Sequence, residues 1–330
     1  MSTEKCNVTG IVVNYNSINY MDIVKKSLES LISISNKPII VVDNNSTDGS
    51  NKYIYDTFRD EVVALALHNN YGYAGAIDIA YKTFNNYLSE VFFIANNDLI
   101  IINEEIVNKL CKILLNEKTV AAISAILLWI SGKINSAGFL IDKLGFFHNL
   151  CEGLTLDECN FEHDFISVSF LSGAFTLFKK KYVSLLPENI IFPTRGFMYL
   201  DDIITGLYFS QLGFKNLVVT EPLAIHYESL SLTSVAKAYL LGRALSIQRR
   251  IIISPASRIT TIYKYALYNR FSLNNKLIAS AFLQGWKDGE KEYENHKEYW
   301  DKYKIYTNNV VKIEENGAIF KRIAKFLLER

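Results

Sequence analysis

The chain lacks any surplus of charge. Its 35 Lys and Arg face 34 Asp and Glu, a formal net charge of +1. That argues against a dedicated nucleic-acid binder, which needs a basic surface. It lacks an apolar run of the ~18 residues needed to span a bilayer. It lacks the charged and then apolar start of a secretory signal, since Met1-Ser2-Thr3-Glu4-Lys5 leads into a strand. A cytoplasmic protein is expected, any membrane contact being peripheral and at the inner face of the cell membrane. The four cysteines (Cys6, Cys111, Cys151, Cys159) show no CxxC spacing, so no zinc site or disulfide framework is legible. Cys151 and Cys159 are close enough in sequence to pair, but reduced, buried thiols are the expectation. Repeats and low-complexity tracts are absent. So are GxGxxG and GxxxxGK[ST] after the first strand, where Asn14-Tyr15-Asn16-Ser17 stands instead. This disfavours dinucleotide dehydrogenases and P-loop enzymes.

What is present is 330 residues, 49% of them apolar, enough for one large domain or a domain with an appended lobe. Residues 8–13 form an apolar run ending at the Asn14 loop. Residues 21–33 carry Ile23, Val24, Leu28, Leu31 and Ile32 at helical spacing. Residues 38–42 are a second apolar run, ending at Asp43-Asn44-Asn45-Ser46-Thr47-Asp48-Gly49-Ser50. Strand, helix and strand in so short a span predict a βαβ unit with parallel strands and a right-handed crossover. A helix, a strand over 62–67, a Gly-punctuated loop and a helix reaching about residue 88 follow. A fourth strand then stops abruptly at Asn96-Asn97-Asp98.

Three polar strand ends on one sheet edge predict a pocket outside the carboxyl ends of the strands. Asp98 there suits a hard divalent cation, and the cation a diphosphate. The plainer reading of such a strand end is an Asx-type turn. Asp48 and Gly49 read as turn chemistry and a helix cap, whereas Asp43 directly follows a buried strand. Gly72 and Gly75 permit close approach of the backbone to a ligand, or serve a turn and a helix–sheet contact.

Further along, residues 103–115 predict a helix and 120–129 a long buried strand. Residues 133–140 and 145–147 read as hairpin or irregular, and 151–164 as an acidic loop. The Gly173-Ala174 pair leaves room for a ligand or a neighbouring backbone. Asp201-Asp202 precede a helical stripe (Ile203, Ile204, Leu207, Tyr208, Leu212) closed by Gly213. One acidic residue at a helix start is favoured by about 0.3–1 kcal/mol. Two adjacent carboxylates repel, which points to a second role for one of them. His226, after an apolar run, reads by default as hydrogen-bonded structure. Past residue 231 the chain turns helical. Arg243, Arg249 and Arg250 are either phosphate ligands or ordinary surface charges. Residues 287–304 read as an exposed helix or linker. Residues 319–328 form a basic amphipathic helix, suited to peripheral membrane contact, to packing on its own domain, or to a sister subunit in a homo-oligomer.

In combination, Val12-Val13-Asn14-Tyr15-Asn16, the run from Val41 to Ser50, Asn69-Asn70-Tyr71-Gly72-Tyr73-Ala74-Gly75, Asn96-Asn97-Asp98 and Asp201-Asp202 resemble a family 2 glycosyltransferase of the GT-A fold, in the rhamnosyltransferase and galactofuranosyltransferase branch. The resemblance covers about residues 8–250. It implies an α/β fold with a Rossmann-like, mostly parallel central sheet flanked by helices. The catalytic domain would span residues 1–230 and a C-terminal helical region residues 231–330. The implied enzyme is an inverting hexosyltransferase of polysaccharide biosynthesis, moving a sugar from a UDP- or dTDP-linked donor to a hydroxyl of a glycan or lipid-linked acceptor. The resemblance places the nucleotide sugar on Asn14, Asn16, Asp43, Asn45, Asn69, Gly72, Gly75, Asn97, Ser172, Gly173 and Ala174. It places Mg²⁺ or Mn²⁺ on Asp98, Asn96 and His226, and the general base on Asp202 with Asp201 as its partner. Asn96 departs from the family's DxD, and an amide is a weaker metal ligand than a carboxylate. Two other readings stand beside this one. A non-catalytic nucleotide-sugar-binding or assembly subunit is favoured by Asn96 and disfavoured by Asp201-Asp202. A nucleotidyltransferase is disfavoured because the first loop lacks Gly and Lys.

Overall fold

The computed structural model describes residues 6–142, 145–199, 201–228, 233–254, 268, 275–307 and 310. The first half follows the apolar pattern: β1 (Val8–Asn14), α1 (Met21–Ile34), β2 (Ile39–Asp43), α2 (Ser50–Phe58), β3 (Val62–Ala66), α3 (Gly72–Thr83) and β4 (Val91–Asn96). β2 and β4 flank β1, and β3 pairs with β2, all in parallel. β1, β2 and β4 are almost wholly buried and largely apolar because both sheet faces are covered there. Ile11, Ile40, Phe92 and Ile94 pack with Ala74, Ile77 and Ala80 of α3 on one face. Val12, Val41 and Phe93 pack with Val24, Leu28 and Leu31 of α1 on the other.

Beyond β4 come β5 (Leu99–Ile101), α4 (Glu104–Asn116), β6 (Val120–Leu128), β7 (Ile134–Ser136), β8 (Phe139–Ile141), β9 (Phe147–Asn149), α5 (Leu156–Cys159), β10 (Phe165–Val168), β11 (Phe175–Lys179), α6 (Lys180–Val183), α7 (Asp201–Gln211) and β12 (Lys215–His226). The sheet runs β10-β12-β6-β11-β4-β1-β2-β3, with β5 on β12 and β7 on β6. Two pairings build the site. β11 lies antiparallel to β4, Phe175 opposite Ala95, which brings residues 172–174 beside Asn96. β5 lies antiparallel to β12, Leu99 opposite His226, which brings the imidazole beside Asp98. β12 is one strand through His226, with its register broken around Pro222. That irregularity admits a proline, which has no N–H for the ladder. The acidic stretch is not wholly a loop, since α5 opens with a Thr155/Glu158 capping box.

The C-terminal region holds α8 (Ser234–Ile251), β13 (Ile252–Ile253), α9 (Lys276–Asn295), α10 (Lys297–Asp301) and β14 (Ile305–Tyr306). The stretch read as an exposed helix or linker is anchored. Tyr293, Trp300 and Tyr303 are buried in a cluster with Ile204 and Leu207 of α7. The amphipathic stretch 319–328 lies outside the described residues. Among the described residues no helix is long and apolar enough to cross a membrane. The expectation of reduced cysteines is corrected: Cys6 is joined to Cys111 and Cys151 to Cys159. Cys6 and Cys111 lie 105 positions apart and meet because α4 packs beside the start of β1, a contact no spacing rule reveals.

Candidate functional site

β2 and β4 lie on opposite sides of β1, so their carboxyl ends open a crevice at the switch of strand order. Fully buried Asn14 is its junction. Asn14 Nδ2 donates to Asp43 Oδ1 (3.2 Å), Ser50 Oγ (3.2 Å) and Ser46 Oγ (3.4 Å). Its Oδ1 accepts from Ser17 Oγ (2.5 Å) and Asn97 Nδ2 (3.1 Å). The amide expected to touch the nucleotide is thus used in joining three loops, and acts on the crevice through Asp43 and Asn97. Asp43 also accepts from the Ser46 N–H (3.0 Å). Asn16 bonds Ser46 Oγ through its N–H (3.0 Å) and the Thr47 N–H through Oδ1 (2.9 Å). Asp48 has the turn-and-cap role. Burial alone would raise its carboxyl, but hydrogen bonds from Ser50 and Ile18 outweigh that and hold it below the usual range. Asn45 and Asn69 are exposed on the rim.

Asn44, which sequence reasoning did not single out, staples the second loop to the third. Its Nδ2 donates to Asn70 Oδ1 (3.0 Å) and the Gly72 carbonyl (3.1 Å), and its Oδ1 accepts from the Tyr71 N–H (2.9 Å). Gly72 has φ +72°, and a Cβ there would stand 2.5 Å from the Phe197 carbonyl. A Cβ on Gly75 would meet Tyr71 Cβ at 2.8 Å. Both glycines therefore admit the protein's own chain, as the turn-and-contact reading has it.

At the end of β4, Asp98 is buried and its Oδ1 has no hydrogen-bond partner among the described residues. That oxygen lies 3.3 Å from His226 Nε2, and Asn96 Nδ2 is 3.3 Å from the same nitrogen. A buried carboxylate oxygen without a donor is costly. A carboxylate and an imidazole nitrogen facing each other are a donor set that fits Mn²⁺, while Mg²⁺ would draw on the carboxylate oxygen. Asn96 presents its Nδ2 here, and only its Oδ1 is a ligand atom. Among the described residues no three His, Cys, Asp or Glu side chains converge, so Asp98 and His226 carry the fit.

Across the site, Asp202 accepts the Gly173 N–H at Oδ2 (2.9 Å) and the Ile203 N–H at Oδ1 (2.8 Å). Burial pushes its carboxyl above the ordinary range, and those two donors only partly offset it. Asp201 is buried, with Thr205 Oγ1 donating to its carbonyl (3.0 Å). Ser172 Oγ accepts from the Ala174 N–H (3.2 Å), and the Ala174 carbonyl from the Asn96 N–H (2.9 Å).

Tyr73 is the main residue that sequence reasoning passed over. Its hydroxyl donates to the Gly173 carbonyl at 2.8 Å. Burial first, then the negative charge of Asp201, Asp202 and Asp98, push its phenol well above the usual value. The Gly173 peptide is thereby held at both ends, its N–H by Asp202 and its carbonyl by Tyr73. The only signal in the sequence was an aromatic residue next to Gly72.

The loop before Asp201 contains Phe197 at φ +68° and Tyr199 at φ +67°, conformations that bulky side chains seldom adopt. Arg243 of α8 holds it, Nη1 to the Gly196 carbonyl (2.8 Å) and Nη2 to the Arg195 carbonyl (2.9 Å). Arg195 in turn reaches Glu292 of α9 at 2.7 Å. Of the two readings of Arg243, Arg249 and Arg250, the partners within the protein match that of ordinary paired charges. Arg249 donates to the Gly145 carbonyl and lies over the Phe146 ring, and Arg250 pairs with Ser246 and Glu290.

No curated protein sequence matches the chain significantly. Among solved structures, the mannosyltransferase PcManGT from Pyrobaculum calidifontis, in complex with GDP-Man and Mn²⁺, aligns with a TM-score of 0.50 at 16% identity. The alignment covers 90% of this chain and 76% of that one. S. aureus TarS 1-349 with UDP-GlcNAc aligns with a TM-score of 0.48 at 16% identity, over 90% of this chain and 89% of that one. Residues 9–133, which hold β1 through β6 and the Asn14, Asp43 and Asp98 loops, match the family model described as Glycosyl transferase family 2. Residues 9–133 therefore match a family 2 glycosyltransferase domain, the fold is GT-A, and the chain is a glycosyltransferase.

Proposed function

We propose that this glycosyltransferase moves a sugar, with inversion, from a nucleotide-diphosphate donor to a hydroxyl of a glycan or lipid-linked acceptor. The observation that carries the reading is one juxtaposition. Asp98 and His226 face each other beside the carboxyl ends of the parallel strands, and Tyr73 lies within electrostatic reach of Asp98, Asp201 and Asp202. The donor's nucleotide is assigned to the crevice of Asn16, Asp43, Asn45, Asn69 and Asn97, with Asn14 behind it. Its sugar is assigned to the Ser172-Gly173-Ala174 turn. The donor class is extended from PcManGT, whose complex holds GDP-Man. The rhamnosyl- and galactofuranosyltransferase branch, and the division into a catalytic domain over 1–230 and a helical region over 231–330, belong to the same proposal.

Asp98 and His226 would hold Mg²⁺ or Mn²⁺, which when bound supplies positive charge to the leaving diphosphate. Asp202 takes the proton from the acceptor hydroxyl. The freed oxygen bonds to the anomeric carbon from the face opposite the leaving group. The bond from that carbon to the diphosphate oxygen breaks, and its electron pair leaves with the nucleotide. Asp201 orients the acceptor beside the base.

A calorimetric screen of UDP-, dTDP- and GDP-sugars with Mn²⁺ tests the class. At least one donor should bind, and at about 100 times its Kd it should stabilise the fold by about 2.7 kcal/mol. Absence of binding by all three, with or without Mn²⁺, overturns the proposal. Tyr73→Phe is expected to keep donor affinity while kcat falls by about 2- to 10-fold, the equivalent of one hydrogen bond of about 0.5–1.5 kcal/mol. Steady-state kinetics read the split between kcat and KM, and an unchanged kcat removes Tyr73 from the positioning of Gly173.

A further inference from the structure

We propose that Asn135, itself oriented by Glu228, is a positioning residue that turns His226 Nε2 into a metal ligand. The inference rests on the metal reading above and goes beyond it, since neither Asn135 nor Glu228 lies in any of the motifs that marked the site. Asn135 is a buried residue of β7. Its Oδ1 is 3.0 Å from His226 Nδ1. Its Nδ2 donates to Glu228 Oε2 at 3.0 Å, an oxygen that also receives Trp129 Nε1 at 3.1 Å. Lys237 of α8 reaches the other oxygen, Glu228 Oε1, at 3.4 Å. The Asn149 side chain donates to the Asn135 backbone carbonyl at 2.9 Å and holds the strand in place.

This chain of bonds decides a tautomer. A carboxylate only accepts, so the Asn135 amide must turn its NH₂ to Glu228 and its oxygen to the imidazole. An amide oxygen only accepts, so His226 Nδ1 carries the proton, and in the neutral ring the lone pair sits on Nε2. Asn96 Nδ2 lies 3.3 Å from that nitrogen, as a donor to a lone pair would. Asp98 Oδ1, buried and without a hydrogen-bond partner among the described residues, lies 3.3 Å from the same atom. Two electron-pair donors are thus held face to face, the arrangement a cation requires. Outer-shell partners of this kind typically alter metal affinity by about 10- to 100-fold.

The test uses the full chain, with Mn²⁺ alone and Mn²⁺ with UDP as probes, and three variants. Asn135→Leu removes the acceptor at similar volume. Asn135→Ala covers the case in which leucine does not fold. Glu228→Gln keeps an acceptor for Asn135 and Trp129. Manganese electron-spin titration should show Asn135→Leu or Asn135→Ala binding Mn²⁺ about 10- to 100-fold more weakly than the wild type, with Glu228→Gln affected less. Histidine ¹⁵N resonances should report an Nδ1–H ring for His226 in the wild type and a mixture of tautomers in the Asn135 variants. A merely structural role for Asn135 would move neither signal. Mn²⁺ affinity and tautomer unchanged in a folded Asn135 variant overturn this inference alone. A wild type that binds no Mn²⁺ in either condition overturns the metal reading and this inference with it.

Discussion

Asp202→Asn is expected to lower kcat by about 10²- to 10⁴-fold, the usual contribution of a general base, while leaving the protein close to the wild type in stability. Asp202 lines a small cavity with Gly173, Phe178, Phe192 and Thr205, accepts two backbone N–H groups, and has no ion pair among the described residues. Burial raises its folded-state pKa above that of the unfolded chain. A carboxyl shifted this way stabilises the fold only when protonated. That contribution is complete below the unfolded carboxylate pKa and is lost as the pH rises through the folded value. At neutral pH the ionised group therefore opposes folding; the uncharged amide does not, but its NH₂ cannot accept, so one of the two N–H bonds is lost and the two effects offset. The same shift sets the pH dependence of turnover. The base works only when ionised, so the acid limb of kcat/KM should lie above the ordinary carboxylate range and vanish with the variant. Product formation and melting curves from about pH 4 to 8 separate these effects. A variant that keeps wild-type turnover removes Asp202 from the chemistry. One that loses activity only because it unfolds leaves the base assignment without support, which places the weight on the melting curve.

Gly285→Ala should be the most damaging small change far from the chemistry. The backbones of α8 and α9 touch: a Cβ on Gly285 would lie 1.9 Å from the Tyr239 carbonyl oxygen, and one on Gly242 2.2 Å from that of Phe282. A side chain in the way could rotate, but a helix carbonyl cannot. The helices must separate, and overpacking of this kind costs about 1–3 kcal/mol or more. The loss should reach the active site. Arg243 sits on α8 and Glu292 on α9, and together they hold the Arg195-Gly196 loop that leads to Asp201 and Asp202. The expected result is a lower melting temperature together with a reduced kcat below the melting range. Leu277→Ala, at a position 63% exposed on the same helix, is the control and should change neither. Full activity in Gly285→Ala at a temperature where it is folded would separate the helical hairpin from the base loop.

Much of this molecule follows from the order of its residues alone. Uninterrupted apolar runs separated by helical stripes lead to parallel strands, because a strand covered on both faces must be apolar on both. Polar residues at Asn14, Asp43 and Asn96 come at strand ends, and strand ends in such a sheet share one edge. Asp201-Asp202 at a helix start is visible for the same local reason. What the tertiary structure alone decided lies at long range. Asn96 and His226, 130 positions apart, meet through the pairing of β5 with β12, and β5 is three residues long, too short for a period to register. Tyr73 meets Gly173 because β11 inserts beside β4. Asn14 looks like a ligand residue by position, and its amide bonds Asp43, Ser46 and Ser50, since a buried amide must find partners. Asn135 carries no local sign of its place behind His226. Local pattern records which face of an element is buried; which side chain stands opposite is set by strand register, and register is a property of the assembled sheet.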